Sequence, residues 1–409
     1  MFDNVLHQNT TAQICGDIME NRFPGAVLFS GPGGSGKLTS ALETARVLSC
    51  AGERKGHWLC ACPSCLLHKA LSSASLLIAG PRDCTPEIAA AERAFVAAVS
   101  GGAKYLDASR YFFLRSVRKL TARFNPVLWQ GDDKLSKIAA VVSEIDEELE
   151  PLDFPHELPE AEKIAKATEK LRKLCEKLEG EFLYDSIPIA HIRNASAWAR
   201  LKVAHGKKTI IIENADRMLE SVRNALLKIL EEPPEDTVFI LTTARRSAVM
   251  PTILSRVRTY NFYERPLSAQ HEVIQRVFHA DGFSGSIDDY LLTFLPVQPA
   301  LIAEKSRDFF SSVVRGHIPD IPALIKDCGK FEPRVLLRLF LNGMQDCSRK
   351  LLASPVGSQA AVELTEALGS CWNTVTVYNQ SVNSALEILV RELAKINKTH
   401  GMILRWAVI

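Results

Sequence analysis

The sequence predicts an α/β domain built around a phosphate-binding loop (P-loop), with a cysteine module and a helical insert, followed by two helical modules. Three observations carry this. A short apolar strand, Ala26–Phe29, runs into GPGGSGK (Gly31–Lys37) and then into an amphipathic helix over Ser40–Ser49. A β-branched run, Thr209–Ile212, suits a buried parallel strand and ends in an acid, Glu213. Beyond 262, apolar residues recur at helical spacing.

The chain has 409 residues, enough for two to four domains at about 100–200 residues each. It is 47% hydrophobic and 23% charged, as in ordinary globular proteins. A formal charge of +2 gives no global electrostatic case for nucleic acid. No run of about eighteen apolar residues is present, so no membrane span is expected. The first residues, MFDNVLHQNTTAQ, lack a basic segment followed by an apolar core. No secretory leader is therefore read, and ten cysteines point to a reducing cytoplasm.

The order strand, glycine-rich loop, helix is what a phosphate cradle needs. Gly31, Gly33, Gly34, Ser35 and Gly36 supply backbone N–H groups at a helix N-terminus, and Lys37 supplies charge. The next position normally carries a Ser or Thr hydroxyl that holds Mg²⁺, and here it is Leu38. Thr39 cannot replace it, because one helical residue turns the side chain by about 100°. The cradle is expected to accept ATP or ADP without hydrolysing it well, and Mg²⁺ lacks a ligand.

Cys50, Cys60, Cys62 and Cys65 follow in the pattern C-x₉-C-x-C-x₂-C. Four thiolates make a closed tetrahedral site, so a structural Zn²⁺ is expected. His57 and His68 stand as alternatives to one thiolate, because the Cys60–Cys62 step is tight. The other six cysteines are scattered and read as ordinary small core or surface residues.

From about 80 to 183 four amphipathic helices are predicted, with Pro151, Pro155 and Pro159 separating the third from the fourth. Arg110, Arg115, Arg118, Lys119 and Arg123, interleaved with Tyr111, Phe112 and Phe113, form the most basic stretch. It reads as a solvated face over an apolar one, or more sharply as contact with a nucleic-acid backbone or acidic partner.

After the second strand a catalytic P-loop protein places an Asp for Mg²⁺ and then a Glu base. This chain has Glu213, able to reach a metal shell, and Asn214, whose amide cannot take a proton. A general base contributes about 10²–10⁴ in rate.

The segments FDNVLHQ, LFSGPGGSGK, the cysteines just after the P-loop helix, NALLKILEEPP (Asn224–Pro234), a strand ending at Thr242–Thr243 and TILSR (Thr252–Arg256) together resemble the clamp-loader ATPase subunits of bacterial DNA polymerase III. The likeness spans 1–80 and 184–262, and more loosely 263–409; the insert lies outside it. It implies an AAA+ P-loop domain over 1–262 with the zinc module at 50–65. It further implies a helical lid over 263–308 and a helical collar over 309–409, in which Tyr378–Leu393 resembles the last collar helix. Leu38, Asn214, the wording of 214–218 and a lid segment, Val297–Ala303, without a sensor arginine resemble the delta-prime subunit rather than the gamma/tau motors.

That resemblance implies a weakly or non-hydrolysing stator that helps load the sliding clamp on primed DNA, with gamma/tau and delta subunits as partners. Arg256 matches the family's arginine finger, which acts in trans on a neighbour's nucleotide, although Val257 replaces the usual Cys. Thr243 matches the sensor-1 position. The alternatives are an active gamma/tau-type motor ATPase using Glu213, a small-molecule kinase, and a zinc and nucleic-acid-binding module.

Overall fold

The computed structural model describes every residue except 82, 203–205, 354, 379 and 409. It divides into two units, Met1–Leu291 and Leu292–Ile409.

The first unit holds one five-stranded parallel sheet: β1 (Ala26–Ser30), β2 (Leu76–Ala79), β3 (Lys208–Ile212), β4 (Thr237–Thr243) and β5 (Arg258–Asn261), in the order β2-β3-β4-β1-β5. All but β5 are buried along their length, which explains their near-continuous apolar sequences. Side chains alternate across the sheet. Val27 and Phe29 face a core shared with α1 (Thr10–Met19) and α2 (Lys37–Leu48). Ala26 and Leu28 face the opposite core, built with the insert. A mixed α/β fold with a parallel sheet is thus borne out. The four-residue strand β2 is an addition that the sequence reading missed.

A short helix, α3 (Pro63–Lys69), follows the cysteine loop, with proline at its first position where no N–H is required. The insert forms four helices as predicted: α4 (Thr85–Gly101), α5 (Leu106–Thr121), α6 (Leu135–Leu149) and α7 (Ala161–Phe182). Phe95, Phe113, Val117, Ile145 and Leu171 form its apolar seam. Then come α8 (Ile189–Ala199), α9 (Glu220–Glu231) and α10 (Pro251–Leu254). Next are α11 (Leu267–Phe278) and α12 (Ile287–Leu292).

The basic stretch corrects the solvated-face reading. Its five cations do not form a solvated face: each is bonded or ion-paired within the chain. Arg110 donates to the carbonyls of Leu152, Asp153 and His156, each at 2.7 Å. Arg115 bonds the Lys69 carbonyl, Arg118 pairs with Asp153 and Lys119 with Glu87. Arg123 pairs with Glu213. The charges hold the insert together and onto the sheet.

The second unit is all helical: α13 (Pro299–Val314), α14 (Ile321–Asp327), α15 (Val335–Ser348), α16 (Pro355–Thr376) and α17 (Val382–Val408). Phe309, Phe340, Leu364 and Leu389 lie in its core. The last helix starts four residues beyond the predicted Tyr378, and residue 379 lies outside the described residues. Among the described residues no helix is long and apolar enough to cross a membrane.

Candidate functional site

The glycine-rich loop leaves the C-terminal end of β1, where the chain order across the sheet reverses between β4 and β5. In open parallel sheets ligands bind at such a switch point. Gly34 (φ +62°) and Gly36 (φ +87°) adopt backbone conformations that favour glycine, and Gly36 is the N-cap of α2. Lys37 Nζ donates to the Gly31 carbonyl at 2.6 Å and to Ser35 Oγ at 3.3 Å. Ser35 Oγ donates to the Pro32 carbonyl at 2.9 Å.

Two residues that sequence reasoning missed also meet this loop. Arg265 donates to the Gly34 carbonyl and, through Nε, to the Leu6 carbonyl at 2.8 Å. The carboxylate of Asp288 lies over Gly33, so that a Cβ there would sit 2.5 Å from its Oδ2. No local motif marks either residue.

Leu38 is 6% exposed and packs in the core with Ile14, Ala41 and Leu42. The position of a metal-binding hydroxyl has been absorbed into the packing of α2. Glu213 is buried at the end of β3 and ion-paired with Arg123. Asn214 adopts left-handed φ/ψ of 53° and 51°, which Asn tolerates better than most residues, and its amide donates to the Pro81 carbonyl. Thr243 Oγ1 donates to Asp216 Oδ1 at 2.7 Å and accepts from Arg245 N at 3.0 Å. The residue after Lys37 is a core leucine rather than a hydroxyl, and the carboxylate at the end of β3 is paired with Arg123. The residues do not fit a P-loop Mg²⁺.

The cysteine set fits a metal. The Sγ atoms of Cys50, Cys60, Cys62 and Cys65 all lie within 4.8 Å of one another. The Cys50–Cys60 separation of 3.8 Å is the edge expected of a tetrahedron with bonds of about 2.3 Å. Gly56 N donates to Cys50 Sγ at 3.3 Å and Arg46 Nη1 to Cys65 Sγ at 3.1 Å, so the sulfurs are oriented from outside the cluster. Burial raises the Cys62 thiol, but N–H groups of Cys65 and Ala51 outweigh it and bring the group down to about 6. His68 Nε2 instead pairs with Ser73 Oγ at 3.2 Å, and His57 Nδ1 accepts from Leu59 N at 3.3 Å. Four cysteines thus suffice, and the tight Cys60–Cys62 step is accommodated.

Arg256 lies beyond α10, just before β5, partly exposed, and ion-paired with Glu231 at the end of α9. The cradle, Glu213, the cysteines and Arg256 all belong to the first unit.

Comparison with known proteins matches residues 152–266 to the family described as DNA polymerase III, delta subunit. A 100-residue stretch is 47% identical to DNA polymerase III subunit delta' of Pseudomonas aeruginosa, covering 24% of this chain and 25% of that one. A 71-residue stretch is 38% identical to subunit delta' of Bacillus subtilis, covering 17% and 22%. Subunit gamma/tau of Mycobacterium bovis is 36% identical over 75 residues, 18% of this chain and 13% of that one. The matched stretches thus span a quarter or less of those relatives. A solved gamma subunit-related protein from Thermotoga maritima aligns with 56% of this chain and 89% of that one, at 16% identity and a TM-score of 0.27. The resemblance to DNA polymerase III clamp-loader subunits is borne out, with both subunit types among the relatives.

Proposed function

We propose that this chain is a delta-prime-type subunit of a bacterial DNA polymerase III clamp loader. In this reading it is an AAA+ stator that hydrolyses nucleotide weakly or not at all. The observation that carries the reading is the state of the catalytic positions. Leu38 is part of the core, Glu213 is paired with Arg123, and Asn214 is fixed to a backbone carbonyl. Arg256 meanwhile keeps a partly exposed guanidinium at the edge of the same domain. Such a chain contributes an arginine finger to a neighbour's ATP and none of the chemistry of its own.

In this function the cradle at Gly31–Lys37 is architectural, with ATP or ADP as its candidate occupant. Residues 263–308 serve as the lid and 309–409 as the collar. The partners are gamma/tau and delta subunits, the sliding clamp, and primed DNA reached through the complex, in the cytoplasm. The cysteine cluster holds a structural Zn²⁺.

Reconstitution tests the assignment. The purified chain is mixed with gamma/tau and delta subunits, and complex mass, clamp loading and ATPase are measured. Incorporation into a loading-competent complex, with negligible ATPase from the chain alone, is expected. Turnover by the isolated chain that is abolished by Lys37→Ala makes it a gamma/tau-type motor instead.

A further inference from the structure

The insert from α4 to α7 enters the family match only from residue 152 onward, and a residue of its unmatched part reaches the sheet. Arg123 follows α5 in a single 3₁₀ turn, Ala122–Phe124. Its side chain is 0% exposed, and that of its partner Glu213 is 4% exposed. Ninety residues of sequence separate the two.

The placement is built rather than incidental. Arg123 Nη1 donates to the Lys119 carbonyl, which directs the guanidinium out of the helix end. The Arg123 carbonyl accepts from Trp129 Nε1 at 3.0 Å, and Trp129 stacks on Phe124. Tyr184, just beyond the insert, accepts a hydrogen bond from Gly80 N at 3.2 Å. Gly80 (φ +136°) brings the end of β2 so close that a Cβ would lie 2.7 Å from the Glu213 carbonyl oxygen. Glu213 is thereby enclosed by β2 and by an insert cation.

We propose that the guanidinium of Arg123 occupies the cation position beside Glu213, so that the insert acts as a plug making this domain independent of divalent metal. Two features favour it. A planar guanidinium forms directed bonds with a carboxylate and is less strongly hydrated than a point charge, which suits a dry position. Mg²⁺ by contrast keeps several waters and needs octahedral space. The Glu213 carboxylate is already neutralised by Arg123, so a divalent ion placed there meets the guanidinium's like charge. On this reading the insert closes the cation position beside Glu213.

The inference rests on reading Glu213 as the acid that ends β3 of a P-loop domain. It does not need the clamp-loader assignment, so it is tested on the isolated full-length chain rather than in a complex. Mn²⁺, with and without ATP, is the probe, followed by electron paramagnetic resonance and thermal unfolding. The wild-type chain is expected to show no Mn²⁺ binding that Glu213→Gln abolishes. Arg123→Ala is expected to lower the folding equilibrium constant about 100-fold or more, because one partner of a buried pair is lost. It is also expected to gain Mn²⁺ binding that disappears in Arg123→Ala/Glu213→Gln. Glu213-dependent Mn²⁺ binding by wild type overturns the proposal, and so does an Arg123→Ala chain that is as stable as wild type. If Arg123→Ala does not fold, Arg123→Lys replaces it. That variant keeps the charge and should still exclude Mn²⁺, and binding there overturns the proposal equally.

Discussion

Arg256 Nε donates to Glu231 Oε1 at 2.8 Å, and Nη1 of the same guanidinium donates to the Thr252 carbonyl at 2.7 Å. The proposed finger residue is thus held against the end of α9. The pair is partly exposed, and such pairs contribute about 0–1 kcal/mol. Arg256→Ala should therefore leave the melting temperature of the isolated chain nearly unchanged. In a reconstituted complex it should slow the neighbouring site by about 10³–10⁵, the range of an arginine finger. Unchanged ATPase in that complex removes the trans role.

Leu38→Ser restores the hydroxyl that the P-loop lacks. Because Leu38 is buried among Ile14, Ala41 and Leu42, the change should destabilise the chain by about 2–5 kcal/mol in chemical denaturation. ATPase should not appear, because Glu213 remains on Arg123. Recovered turnover in Leu38→Ser/Asn214→Glu would contradict the blocking role given to the Arg123–Glu213 pair.

Asp288 places a carboxylate over Gly33 of the cradle. Two like charges near a protein surface repel appreciably, so Asp288→Asn should tighten ATP or ADP binding about tenfold. Isothermal titration measures it. Equal affinity in both chains means that nucleotide, if held, does not occupy Gly31–Lys37.

Metal analysis should find about one Zn²⁺ per chain, released by Cys65→Ser. Gly52→Ala should also weaken the site, since its Cβ would lie 2.6 Å from Cys60 Sγ.

His191 is enclosed edge-on by Trp129 and Tyr184, and burial pushes it down to about 4 from 6.5, with Asp132 acting weakly in the opposite sense. Neither ring nitrogen has a hydrogen-bond partner among the described residues. A lowered imidazole is neutral in the fold and protonates first in the unfolded chain. Its contribution is present above pH 6.5 and is lost as pH falls toward 4, by at most about 3 kcal/mol. His191→Leu should flatten that part of the stability profile, read by denaturant titration between pH 7 and 4.5.

Much of the fold was legible because apolar spacing reports local geometry. The strands β1 and β3, the loop at Gly31–Lys37, the four insert helices and the cysteine set follow from pattern and composition. What escaped depends on where a side chain ends. Arg110 and Arg123 look alike on a helical wheel to residues that face water, yet both are buried on protein acceptors. Leu76–Ala79 is too short for periodicity to separate strand from helix. Asn214 reads as a lost base in sequence, whereas its left-handed backbone gives a second, conformational reason for that residue type.

The buried Arg46 joins three stretches far apart in the chain. It bonds Glu43 on its own helix, the Gly56 and His57 carbonyls, and Cys65 Sγ, while Glu43 Oε1 accepts from Phe2 N at 3.2 Å. The amino terminus, the P-loop helix and the cysteine loop are therefore expected to open together. Oxidation of a single thiol should be felt at residue 2, and amide protons of all three stretches should report a common opening free energy in hydrogen exchange.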